Sequence, residues 1–139
     1  MTVRELRMVV SSDVAELACV RSFVDRAATT LGSQVARPDL AVATSELVSN
    51  AMALDAGDVV VRVSPGRWHG VRLEVTDCGP GVPEVGDQDA WDPSGHRGLQ
   101  IVDQIAADWG VERQGGQKVV WCELPTSARS SGGRALAGA

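Results

Sequence analysis

The sequence predicts an α+β fold, one mostly antiparallel sheet with helices packed on one face, and three observations predict it. Before Gly57, two segments carry apolar residues every three or four positions, the spacing of amphipathic helices. After Gly57 the period changes to two, and strand-like runs follow in pairs joined by turn-forming stretches. A third helical segment lies between the two pairs, so the order mixes helices with mainly antiparallel strands.

Each element has a local reason. Arg4 to Val10 reads as a first strand, with Leu6, Met8 and Val10 alternating against Glu5 and Arg7. Asp13 and Glu16 form a capping-box pattern for a first helix. Its apolar spacing, Val14, Leu17, Val20, Val24, Ala27 and Leu31, runs to a stop at Gly32. Pro38 suits the first turn of a second helix, whose buried stripe is Leu40, Thr44, Leu47, Ala51 and Leu54. Asp58–Val63 and Gly70–Thr76 read as strands joined through "SPGRWH". The Gly/Pro-rich "DCGPGVP" and the acidic "EVGDQDAWDPSG" read as loop. A third helix is expected to begin near Leu99, burying Leu99, Val102, Ile105 and Ala106. Val111–Arg113 and Lys118–Leu124 flank "QGGQ", a second hairpin signal. The expected division is one domain over 1–125 and a disordered Ser/Gly/Ala-rich tail over 126–139.

Composition excludes several function classes. The chain has 139 residues, 44% hydrophobic and 22% charged, enough for one core without staples. A net charge of −5 and the absence of any Lys/Arg run argue against a nucleic-acid surface. No apolar stretch approaches membrane-span length, and the N-terminus lacks the apolar core of a signal peptide. Cys19, Cys78 and Cys122 show no metal-ligand spacing; an odd count without an export signal points to reduced thiols in the cytoplasm. Cys19 and Cys122 read as small core or near-core residues.

Three segments carry chemistry. In "SELVSNA", Glu46 and Asn50 lie one turn apart on a face beside the buried stripe. A carboxamide oxygen suits Mg2+, and a carboxylate one turn away can take a proton from a nucleophile or hold a metal-bound water. In "TDCGPG", Asp77 ends a strand where it can accept a hydrogen bond from a base's exocyclic amine, and Gly79 and Gly81 permit close backbone approach. In "SGHRGLQIV", a glycine-containing stretch leads into a helix whose N–H groups would favour phosphate, with Arg97 adding a charged contact. Neither a P-loop nor a Rossmann fingerprint is present. Alone, each segment is a weak signal.

In this order the segments resemble the GHKL (histidine kinase-like) ATPase superfamily over roughly Val3 to Pro125, and within it the actinobacterial anti-sigma-factor serine/threonine kinase-like proteins. "SELVSNA" resembles the N-box, "DCGPG" the adenine-binding box, and "RGLQIV" the second glycine box at the ATP-lid hinge. "DWGV" and "GGQKVVWCELP" resemble the closing segment. The resemblance implies a Bergerat-type two-layer sandwich that binds ATP and Mg2+. It makes Glu46 the general base and Asn50 the magnesium ligand, with Asn50, Asp77, Gly79, Gly81, Arg97, Gly98 and Leu99 as the nucleotide-binding set. The implied reaction is phosphorylation of a serine or threonine on an anti-sigma-factor antagonist of the STAS fold. The competing partner would be a sigma factor, held inactive until the antagonist displaces it, and relatives of this kind often form homodimers.

This chain also departs from the family pattern. Leu54 stands where relatives often have a histidine after the N-box, and His96 where the second glycine box usually has its first glycine. The lid, 82–95, is short and carries Glu84, Asp87, Asp89 and Asp92. His96 and the acidic lid favour a second reading, a non-catalytic module that regulates a partner with or without nucleotide, whereas the Glu46/Asn50 pair favours the first.

Overall fold

Valine-rich alternation builds the sheet. The computed structural model describes residues 4–54, 57–77 and 93–126, with the backbone alone at 93–98. Within it the strands are β1 (Leu6–Val10), β2 (Val59–Pro65), β3 (Val71–Asp77), β4 (Asp108–Gln114) and β5 (Gln117–Leu124). They lie in the order β1-β2-β3-β5-β4, and every neighbouring pair is antiparallel. The helices are α1 (Leu17–Thr30), α2 (Arg37–Ala53) and α3 (Pro93–Ile105). The α+β expectation holds.

Directly opposed residues on antiparallel strands point to the same face, so the register sorts the sheet into rows. Leu6, Val63, Leu73, Cys122 and Trp109 form one row on the helix-facing side. Met8, Val61, Val75, Val120 and Val111 form the next. The third, at the far end of β3, runs Val10, Val59, Asp77, Lys118, Arg113: apolar at one edge and charged at the other. On the opposite face Arg72 lies 4.3 Å from the Trp121 ring centroid and pairs with Glu74 at 2.9 Å and Glu123 at 3.3 Å. The β4–β5 turn consists of Gly115 and Gly116 at φ 55° and 86°, a pair of left-handed positions that glycine adopts without strain.

The core lies between that apolar face and the helices. α2 is central, packing on α1, α3 and β3, and it buries Leu40, Ala43, Thr44, Leu47, Val48, Ala51 and Met52. Pro38 lies in its first turn, as predicted. Four expectations need correction. Asp13 accepts from the Ala15 N–H at 3.0 Å but caps a 3-10 turn, Val14–Glu16, and no side-chain bond caps α1 at Glu16. That tighter turn leaves Val14 67% exposed. Leu54 lies beyond the end of α2 and is 40% exposed. Cys19 is exposed, on the side of α1 away from Val20, Val24 and Ala27, whereas Cys122 is fully buried. Finally, α3 begins at Pro93 rather than near Leu99, because proline's fixed φ suits a first helical position. The expected disordered tail from 127 onward, "DCGPG" from Cys78, and most of the lid lie outside the described residues.

Burial pushes the Cys122 thiol up from 9.0 to about 12. The folded chain therefore keeps this thiol neutral where an unfolded one ionises. Its stabilising contribution is complete below pH 9 and is lost as pH rises from 9 towards 12. The loss amounts to about 4 kcal/mol across that window. Lys118, whose pKa burial lowers, acts with the opposite sign, so the comparison must isolate Cys122. Urea midpoints at pH 8 and pH 11 should fall further for the natural protein than for Cys122→Ala.

Candidate functional site

Helix α2 supplies the first pair. Its buried arc faces β3 and α3, and at about 100° per residue Glu46 and Asn50 fall together on one flank of that arc. Both are partly exposed, and among the described residues neither side chain has a hydrogen-bond or ion-pair partner. Among the described residues nothing competes with a ligand for these two polar groups, one turn apart at the rim of a core helix. Among the described residues no cluster of three or more His, Cys, Asp or Glu exists that would cage a metal by itself. One carboxamide oxygen beside one carboxylate fits Mg2+, which keeps several waters and takes further oxygens from phosphate.

Strand β3 supplies the third residue. Asp77 is its last residue, only 3% exposed, and its position in the register puts it on the helix-facing side. A buried carboxylate needs partners, and the sheet supplies a cation: Lys118 of β5 lies directly opposite Asp77, and the two interact electrostatically. Burial lowers the Lys118 pKa, the charge of Asp77 opposes that, and Arg113, opposite Lys118 on β4, adds to the lowering.

No motif in the sequence marks Lys118 or Arg113 as part of the site. The "QGGQ" turn was enough to set Lys118 opposite Arg113, but the β3–β5 pairing that sets it opposite Asp77 has no local signal.

The remaining expected residues stand differently. Gly79 and Gly81 lie outside the described residues. Arg97, Gly98 and Leu99 lie past the first turn of α3, not at its start, and since Pro93 has no N–H the unpaired N–H groups of that helix belong to 94–96. Leu99 buries its side chain in the core with Val102 and Ala106. The structure therefore brings Glu46, Asn50 and Asp77 to the α2–β3 layer and makes Leu99 a packing residue.

Among the described residues no helix is long and apolar enough to cross a membrane. The chain is 44% identical over 54 residues to an uncharacterised protein of Streptomyces coelicolor, an alignment covering 37% of this chain and 50% of that protein. In structure it is similar to the histidine kinase domain of a blue-light activated histidine kinase from Erythrobacter litoralis, with TM-score 0.54 and 22% identity over 84% of this chain and 62% of that one. A longer chain of the same kinase gives TM-score 0.55 and 23% identity over 84% of this chain and 42% of that one. The chain spans half of the Streptomyces protein and less than two thirds of either kinase chain. At these identities the kinase structures establish the fold. The family model for histidine kinase-, DNA gyrase B- and HSP90-like ATPases matches residues 36–128, well over half of the chain and the stretch that holds Glu46, Asn50, Asp77 and Lys118, and the chain belongs to that family.

Proposed function

We propose that this protein binds ATP with Mg2+ beside α2 and β3 and transfers the γ-phosphate to a serine or threonine of an anti-sigma-factor antagonist of the STAS fold. In this reading it is also an anti-sigma factor that the antagonist releases from its sigma factor. The observation that carries the proposal is the Glu46/Asn50 pair, partly exposed and unpartnered among the described residues, on the helix that packs against the strand ending in Asp77.

Each residue has one task. Asp77 accepts a hydrogen from the base and fixes its orientation, since ionised carboxylates only accept. Asn50 would hold magnesium with its amide oxygen, and the ion, when bound, would supply positive charge against the phosphates. Glu46 takes the proton of the attacking hydroxyl at its carboxylate. Catalysis is then mostly positioning and electrostatics, as in other phosphoryl transfers. Cytoplasmic residence and homodimer formation belong to the same reading.

One observation favours the alternative, a regulatory module without phosphotransfer: α3 is helical through Arg97 and Gly98, so the second glycine box is not an open loop. Incubation with Mg2+-ATP and a candidate antagonist, read by mass spectrometry of the antagonist, separates the two. A phosphorylated serine or threonine is the expected product. ATP binding without any transferred phosphate would leave the regulatory module.

A further inference from the structure

The charged end of the third row sets an acceptor beside a donor where the base is expected. Asp77 and Lys118 are directly opposed across β3 and β5, and such residues hold their Cβ atoms about 4.5–5.5 Å apart on one face. A carboxylate accepts only, and an ammonium donates only. Asp77 is buried and Lys118 is half-buried, so solvent does not disperse the pair. Arg113, next in the row, is exposed and lies beyond Lys118, so the ammonium nearest Asp77 is that of Lys118.

That juxtaposition changes which base edge the site accepts. A lone carboxylate accepts a hydrogen from the 6-amino group of adenine but meets the 6-oxo group of guanine with oxygen against oxygen. With an ammonium at its side, the 6-oxo group gains a donor, while the guanine N1–H and N2 amine face the carboxylate. Adenine still fits, its amine on the carboxylate and a ring nitrogen towards the ammonium.

We propose that Lys118 relaxes the base specificity of this site, so that it takes 6-oxopurine nucleotides, guanosine triphosphate in particular, alongside ATP. The proposal rests on the nucleotide-site reading above and widens its ligand class beyond ATP. The lowered pKa of Lys118 agrees with an ammonium drawn into the fold beside Asp77.

Calorimetric titration of the full chain with Mg2+ and either ATP or GTP tests it, with Lys118→Met and Lys118→Arg as variants. The natural protein should bind GTP within about tenfold of ATP, and Lys118→Met should weaken GTP by at least about tenfold relative to ATP, the scale of one charge-assisted hydrogen bond. Lys118→Arg, which keeps a donor, should retain GTP. Equal weakening of both nucleotides in Lys118→Met would mean a merely structural role and overturn the proposal. ATP binding by the natural protein with GTP more than about tenfold weaker would also overturn it, whether or not the variant folds, and leave the ATP site standing. Failure of both nucleotides to bind would overturn the nucleotide site itself.

Discussion

Glu46→Gln is expected to slow phosphoryl transfer to the antagonist by about 10²–10⁴-fold, the usual contribution of a positioned general base. The substitution keeps the size and shape of the side chain and removes its capacity to take a proton. Glu46 is partly exposed and has no hydrogen-bond or ion-pair partner among the described residues, so the substitution breaks no contact that these residues make. Thermal stability and ATP affinity should therefore stay close to those of the natural protein while the single-turnover rate falls. Such a split separates a base from a binding residue, because loss of an interaction made only in the transition state lowers kcat and kcat/KM together. Unchanged transfer in Glu46→Gln would remove Glu46 from the chemistry.

The largest effect on stability is expected at Gly70, where β3 begins. A Cβ built there would lie 2.1 Å from the carbonyl oxygen of Leu124 and 3.0 Å from that of Arg67, both backbone atoms that cannot swing aside. Gly70 itself has φ −82°, so its requirement is space and not backbone freedom. Relief would require the start of β3 to part from the end of β5 at the Val71–Leu124 pair. Gly70→Ala should therefore cost about 3 kcal/mol, at the upper end of overpacking effects. Gly32→Ala makes the control: nothing lies within 4 Å of its Cβ, but φ is +71°. It should cost about 1 kcal/mol through conformational strain alone. Urea unfolding of the two variants should show this order, and a Gly70→Ala midpoint equal to that of Gly32→Ala would contradict the close approach.

Local chemistry explains why some elements were legible and others were not. The alternation of β2 and β3, the paired glycines of the β4–β5 turn and Pro38 in the first turn of α2 are encoded by neighbours in the chain, and each stands where the sequence places it. Apolar spacing alone could not say that α2 stops before Leu54 or that Val14 turns outward in a 3-10 turn. Reading Gly95 and Gly98 as loop placed the start of α3 too late, since Pro93 can open the helix ahead of them. In the site, Glu46 and Asn50 share a flank because four residues make about one turn, so their juxtaposition is written in the sequence. The Asp77–Lys118 pair depends on β5 inserting between β3 and β4, a contact between distant segments.

The central claim is that the α2–β3 layer binds a magnesium nucleotide through Asn50 and Asp77. Titration of the natural protein and of Asn50→Ala with ATP, with and without Mg2+, tests it most directly. The account predicts saturable heat for the natural protein that strengthens with Mg2+, and an Asn50→Ala variant in which the magnesium-dependent part is lost. Absence of heat from the natural protein, or an Asn50→Ala variant with full magnesium dependence, would contradict it.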